Sequence, residues 1–214
     1  MLKSEWNSHY IKNKSVLSYP DENLVRLIAV EVKKHGNEKI LNSIDIGCGS
    51  GRHLSLLEHS GIRNVYGSDY SLNAMKICKD AGYRLLANCD NKNLPFKAES
   101  FDIAVAWGSL HYSNKNETML MLDEIRRIVK PGGVLFATLR RDNDTYLKTG
   151  THLGNNTWRT GLDDLTGTVV SFFSEDELKD IFSQFSDFSY GWMERTIIGD
   201  TSKVISHWVI SARK

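Results

Sequence analysis

The sequence predicts an α/β fold: a doubly wound, mostly parallel seven-stranded sheet with helices on both faces and an antiparallel hairpin at one edge. Three observations predict it. Apolar strand-like runs alternate with amphipathic helical runs over roughly residues 20–140, the rhythm of β-α-β units. The run FDIAVAW at 101–107 is almost continuously apolar, as a strand covered on both faces must be. The last stretches, 188–198 and 204–212, flank Gly199-Asp200 and read as a hairpin.

Each element has its own signal. After Pro20, residues Val25, Ile28, Ala29 and Val32 recur at helical spacing until Gly36 closes the run. A strand from Lys39 to Ile46 leads into Gly47, Gly49 and Gly51, and a helix from Arg52 stops at Gly61. A second strand, Asn64 to Ser68, delivers Asp69. Ser71 caps a helix that Gly82 ends. A third strand, Tyr83 to Ala87, leads to Asp90, and the fourth is FDIAVAW. A helix over Asn116–Lys130, stopped by Pro131-Gly132-Gly133, precedes a fifth strand, VLFATLR. Ser174 and Glu177 form a capping box before Leu178, Ile181, Phe182 and Phe185. Between Arg141 and Thr168 the composition turns to Asn, Gly, Thr and Asp without periodicity, the mark of a functional loop or lid. One domain over 1–214 is expected, with an N-terminal arm or lid at 1–20 and a substrate-side insertion at 141–173.

Composition narrows the function. The 27 basic and 26 acidic residues leave a net charge of +1, so nothing advertises nucleic acid or an anionic membrane. Cys48, Cys78 and Cys89 lack C-x-x-C spacing, which indicates neither a disulfide framework nor a zinc site and suits a reducing cytoplasm. The first residues lack a signal peptide's apolar segment, and no run approaches the roughly 18 apolar residues of a membrane span, so neither secretion nor membrane insertion is expected.

The chemistry concentrates after the strands. Alternate glycines behind a strand, followed by a helix start, make a cradle in which backbone N–H groups meet a phosphate-like or nucleoside-like ligand; an ordinary glycine-rich turn has the same composition. Asp69, at the end of the second strand, is placed to accept hydrogen bonds from ribose hydroxyls or to sit at the helix start beside Ser71. The dinucleotide pattern G-x-G-x-x-G requires glycine where Arg52 stands, which disfavours a nicotinamide oxidoreductase.

Five stretches, IDIGCGSGRH at 44–53, SDYS at 68–71, CDNKNLPF at 89–96, SFDIAVAWGSLHY at 100–112 and LDEIRRIVKPGGVL at 122–135, together resemble the class I S-adenosylmethionine-dependent methyltransferases. The resemblance implies a Rossmann-like fold and S-adenosylmethionine as cofactor, with S-adenosylhomocysteine as product. It implies that Asp45, Gly47, Cys48, Gly49 and Gly51 surround the methionine part, Cys48 as a small filler. Asp69 would hold the ribose and Tyr70 would flank the adenine. Asp90 would accept the adenine amino group, the Asn91 backbone would meet a ring nitrogen, and Trp107 and Gly108 would line the methionine chain. The shorter Asp69 replaces the glutamate common in the family.

Methyl transfer is an in-line displacement with a good leaving group, so positioning supplies much of the catalysis. If the acceptor is a hydroxyl, His111 is the candidate base and Tyr112 the alternative; a histidine merely hydrogen-bonded in its loop accounts for His111 equally. Acceptor contacts are expected from Trp6, Tyr10 and Tyr19 in the arm and from Arg140, Arg141, His152, Trp158 and Arg159 near the insertion. The expected acceptor is a small polar molecule, preferably an oxygen of a sugar-like or anionic metabolite, and the YPDEN run at 19–23 resembles enzymes of bacterial surface-glycan or small-metabolite pathways. The alternatives are N-methylation of a small amine, a nucleic-acid or protein methyltransferase, and a cofactor-binding module without turnover. AWGSLHY carries neither the N/D/S-P-P-Y/F signature of amino methylation nor a Pro-Cys nucleophile, so no nucleic-acid or membrane partner is expected. The chain could be a monomer or a homodimer.

Overall fold

The computed structural model describes residues 6, 7, 9, 10, 16–36 and 40–214. The start of the first strand at Lys39 and much of the arm lie outside the described residues.

β1 (Asn42–Ile46) pairs in parallel with β2 (Asn64–Asp69) and with β4 (Phe101–Ala106), and β2 pairs in parallel with β3 (Leu86–Asn88). β4 pairs in parallel with β5 (Val129–Arg141), and β10 (Asp200–Arg213) joins β5 to β9 (Asp187–Ile197) antiparallel to both. The order β3-β2-β1-β4-β5-β10-β9 is the expected doubly wound sheet with its hairpin edge, but three further strands joined through β5 bring the sheet to ten among the described residues instead of the expected seven. The order of strand addition reverses between the parallel neighbours β1 and β4, which opens a crevice beyond their C-terminal ends.

Every residue of β4 is buried because the sheet is covered on both sides. Phe101, Ala104 and Ala106 enter one core with Leu122, Ile125, Phe182 and Trp208. Ile103 and Val105 enter the other with Leu24, Ile28, Leu54 and Leu57. Each Leu, Ile, Val or Phe side chain among them contributes about 1.5–3 kcal/mol on burial, and each alanine less.

The helices begin where the sequence signals them. α1 (Glu22–His35) is capped by Asp21, which accepts from Asn23 N at 2.9 Å, and α3 (Leu72–Asp80) by Ser71. α2 (Arg52–His59) follows Gly51. α4 (Lys115–Ile128) and α5 (Glu175–Phe182) carry full capping boxes, Asn114 with Glu117 and Ser174 with Glu177.

Two expectations change. α4 ends at Ile128, and residues 129–133 already belong to β5. Pro131 cannot continue a helix, and a Cβ on Gly133 would lie 2.8 Å from Val129 Cγ1, so the chain passes directly into the sheet. Nor is the insertion irregular: β6 (Thr151–Gly154), β7 (Thr157–Arg159) and β8 (Val169–Phe173) form an antiparallel ribbon, with a 3₁₀ turn at Asp163–Leu165. β8 adds to β5 in parallel at Arg140 and Arg141, beyond the end of β4. The ribbon therefore stands over the crevice. Leu147, Val170 and Phe172 give it a small core against Tyr112, Tyr146, Trp158, Leu162 and Leu165.

Among the described residues, no helix is long and apolar enough to cross a membrane.

Candidate functional site

Two cavities, of about 140 and 620 Å³, open beyond β1, β2 and β4. They share Trp6, Tyr10, Gly47, Gly108 and Tyr112 as a common wall.

The glycine loop turns tightly behind β1: Gly47 N and Cys48 N both donate to Ser68 O, at 2.7 and 2.9 Å. Gly47 has φ +74°, and a Cβ there would lie 2.5 Å from Ser109 Cβ. Gly49 has φ +55°, and a Cβ there would meet Tyr10 Oη at 2.4 Å. Glycine is required at both positions by conformation and by close approach.

Asp45 is fully buried at the end of β1, and among the described residues neither carboxylate oxygen has a hydrogen-bond partner. His53 Nδ1 stands 3.6 Å from Asp45 Oδ2. Asp69 accepts from Gly49 N at 2.9 Å and from Ser71 N at 2.8 Å. Burial raises its carboxyl to about 6, against the downward pull of those N–H groups and with Asp45 adding to the rise. Thus the ribose candidate also braces the glycine loop and the start of α3.

Tyr70, Asp90 and Asn91 line the smaller cavity. Asp90 Oδ1 accepts from Lys92 N at 3.0 Å, and Lys92 Nζ lies 3.6 Å from its Oδ2 and 2.7 Å from Glu117. Asn91 Oδ1 is buried without a partner. Trp107 lines the larger cavity, and Gly108 N donates to Thr138 Oγ1 at 2.8 Å. Cys48 is buried, and a side-chain hydrogen bond with the free thiol of Cys78, together with burial, pushes its thiol up, which suits a filler.

His111 is completely buried and lines the larger cavity. Nδ1 is 3.5 Å from Thr138 O, while Nε2 has no hydrogen-bond partner among the described residues. Burial first, then the charge of Arg140 and the proximity of His207, hold the imidazole well below its usual range, so it is neutral at pH 7. Tyr112 packs between His111, at 4.5 Å, and Trp6, at 5.0 Å between ring centres.

Of the expected acceptor residues, Trp6, Tyr10 and Arg140 line the larger cavity. Arg140 is buried and donates to Asp144 at 2.6 Å. Arg141, the next residue along β5, points to the other face, where its guanidinium stacks on Trp192 and Trp208. Trp158 packs on His152 and the ribbon core, Arg159 is exposed and donates to Gly167 O, and Tyr19 is exposed with its carbonyl held by Arg52. None of Tyr19, Arg141, His152, Trp158 and Arg159 lines either cavity.

Residues that local sequence patterns do not single out also line the larger cavity. Met193, Arg195, Ile205 and His207 reach it from the hairpin, and Tyr146, Leu162 and Leu165 from the insertion. Their signal is register: His207 pairs with Arg140, so the two share a face.

Residues 44–137 match the family described as Methyltransferase domain. Over 92 residues the chain is 37% identical to human "Probable tRNA methyltransferase 9B", covering 42% of this chain and 19% of that protein. Over 109 residues it is 36% identical to the Arabidopsis thaliana "tRNA (carboxymethyluridine(34)-5-O)-methyltransferase", covering 50% of this chain and 26% of that one. The chain thus spans about a quarter or less of these relatives' length. Among solved structures, the Burkholderia thailandensis 1,6-didemethyltoxoflavin-N1-methyltransferase with S-adenosylhomocysteine superposes with a TM-score of 0.66 at 19% identity, covering 99% of this chain and 86% of that one.

Proposed function

We infer that this chain, whose residues 44–137 match the family described as Methyltransferase domain, transfers a methyl group from S-adenosylmethionine to a small polar acceptor, preferably an oxygen of a sugar-like or anionic metabolite. One observation carries the reading. The buried carboxylate of Asp45, with His53 3.6 Å away but no hydrogen bond among the described residues, stands behind a glycine cradle, and the larger cavity contains a neutral imidazole with an unbonded nitrogen.

The residues fit the cofactor. A buried carboxylate without a hydrogen bond is costly unless a cation or donor meets it, and the ammonium of the methionine part is such a group. Asp69 retains acceptor capacity for ribose hydroxyls. Tyr70, Asp90 and Asn91 are assigned to the adenine side, while Gly47, Cys48, Gly49, Gly51, Trp107 and Gly108 are assigned to the methionine side. When bound, S-adenosylmethionine supplies an electrophilic methyl carbon on a sulfonium.

The chain's own residues do the rest. Thr138 O favours the tautomer of His111 with the proton on Nδ1, leaving the Nε2 lone pair to take a proton from an acceptor hydroxyl. Tyr112 is assigned to orient that ring. Trp6, Tyr10 and Tyr146 wall the cavity against water, with the 1–20 arm and the 141–173 insertion acting as lids in a single domain. The three cysteines are free, in keeping with a cytoplasmic setting.

A second reading, methyl transfer to a tRNA base, is favoured by the names of the curated relatives. Calorimetry with S-adenosylhomocysteine tests cofactor binding: Asp45→Ala and Asp69→Ala are each expected to weaken affinity by tenfold or more. Unchanged affinity in both would remove the site assignment. Labelled methyl transfer into a small-metabolite extract, against purified tRNA, separates the two readings; transfer to tRNA alone overturns the first. Tight binding without transfer to either would indicate a module without turnover.

A further inference from the structure

β5, β10 and β9 run antiparallel in a register that pairs Arg140 with His207, His207 with Met193, and Ile205 with Arg195. Residues paired across strands share a face, and so do residues two apart along a strand. Arg140, His207 and Arg195 therefore rise from one side of the sheet, and all three line the larger cavity. Burial, Arg140 and Arg195 together hold the His207 imidazole down to about 2, as expected of a base between two guanidinium groups.

The positive charge is incompletely answered. Arg140 is 6% exposed, and its Nε has no hydrogen-bond partner among the described residues although Nη1 meets Asp144. Asp144 is itself engaged by Ser206 N and Leu147 N. Arg195 makes no ion pair among the described residues. The acidic groups lining the same cavity are already engaged: Asp21 caps α1, and Glu194 pairs with Arg141 at 3.4 Å and accepts from Asn143 Nδ2 and Ser206 Oγ. His111, with its ring 5.7 Å from that of His207, adds a second fully buried nitrogen without a partner.

We infer that the methyl acceptor carries a carboxylate or phosphate group and that Arg140, His207 and Arg195 are the residues that recognise it. The inference rests on the methyl-transfer reading for what the cavity's ligand undergoes, though not for its charge. Arg140 supplies Nε–H from a fixed guanidinium, and Arg195 closes over the anion from the exposed edge. The buried position of Arg140 favours a compact anion that enters the cavity over a polynucleotide backbone, which would run along a surface. With the anion held there, an acceptor hydroxyl on the same molecule faces His111 Nε2.

The test is calorimetry on the full chain saturated with S-adenosylhomocysteine, using phenyl phosphate, benzoate and benzyl alcohol as probes. Both anions are expected to bind at least tenfold more tightly than the alcohol. Arg195→Gln and His207→Gln should each reduce anion affinity severalfold, and Arg140→Lys tenfold or more, while the affinity for S-adenosylhomocysteine stays unchanged. Equal binding of the alcohol and the anions would overturn the inference, as would anion binding indifferent to all three substitutions. A single-stranded RNA that binds through these arginines and is not displaced by phenyl phosphate would overturn it in favour of a polynucleotide. Should S-adenosylhomocysteine itself fail to bind, the methyl-transfer reading falls, while the same anion titration on the free protein still decides the charge of the ligand.

Discussion

At the scale of single residues, two buried titratable groups set the expected pH behaviour. Asp69 titrates at about 6 in the free protein because burial disfavours its charge. A ligand that donates hydroxyls to its carboxylate must displace a proton below that value. The affinity for S-adenosylhomocysteine is therefore expected to be flat above pH 7 and to fall about tenfold per unit below pH 6. In Asp69→Asn the affinity should be weak and independent of pH, which calorimetry across pH 5–8 checks. His111 is held in the opposite direction, so its neutral form already dominates at pH 6.5 and it should add no inflection to kcat between pH 6.5 and 8. His111→Ala should slow turnover by about 10²–10⁴-fold while cofactor affinity is preserved, as expected when a proton acceptor is lost. Wild-type turnover in that variant would leave His111 as a packed loop histidine.

At the scale of elements, α1 is fastened to the sheet by one buried carboxylate. Glu31 is 2% exposed and accepts from Arg213 at 3.1 and 2.9 Å and from Lys34 at 3.1 Å. Burial alone would raise its carboxyl, but these bonds outweigh it and bring the group down to about 2. A depressed folded-state value stabilises above the unfolded value near 4.5, and that stability is lost as pH falls through about 2. Glu31→Gln is thus expected to cost about 2–3 kcal/mol at pH 7, with the gap to wild type narrowing towards pH 2, as urea denaturation at several pH values would read. The contact between the arm and the glycine loop makes a second test. Gly49→Ala drives a methyl group into Tyr10 Oη, and Tyr10→Phe removes that oxygen, leaving the next ring atom at 3.4 Å. The double variant should regain thermal stability lost by Gly49→Ala alone, retaining only the cost of alanine at positive φ, about 1–2 kcal/mol.

At the scale of the whole molecule, the parts legible in the sequence are those whose physics is local. FDIAVA announces a strand covered on both faces, and the glycine spacing with Asp69 and Asp90 announces a cradle, because turns and caps are written within a few residues. The hairpin's contribution is not written that way: His207 faces the cavity through its pairing with Arg140, dozens of residues away, and Arg141 faces the other side through strand parity alone. The ribbon in the insertion is not legible in the sequence because β6 is exposed throughout and offers no alternation of buried and exposed positions. The arm has a consequence for kinetics. Trp6 and Tyr10 border both cavities, and Asn7, Leu17 and Tyr19 tie the arm to α3 and the glycine loop through Ser71, Asn73, Ser50 and Arg52. One segment therefore stands at both exits, and a single opening event would govern the departure of both products. Turnover limited by that opening should slow in proportion to solvent viscosity and lose that dependence when Trp6 is replaced by alanine, so the same contacts that hold the arm in place would set the tempo of the cycle.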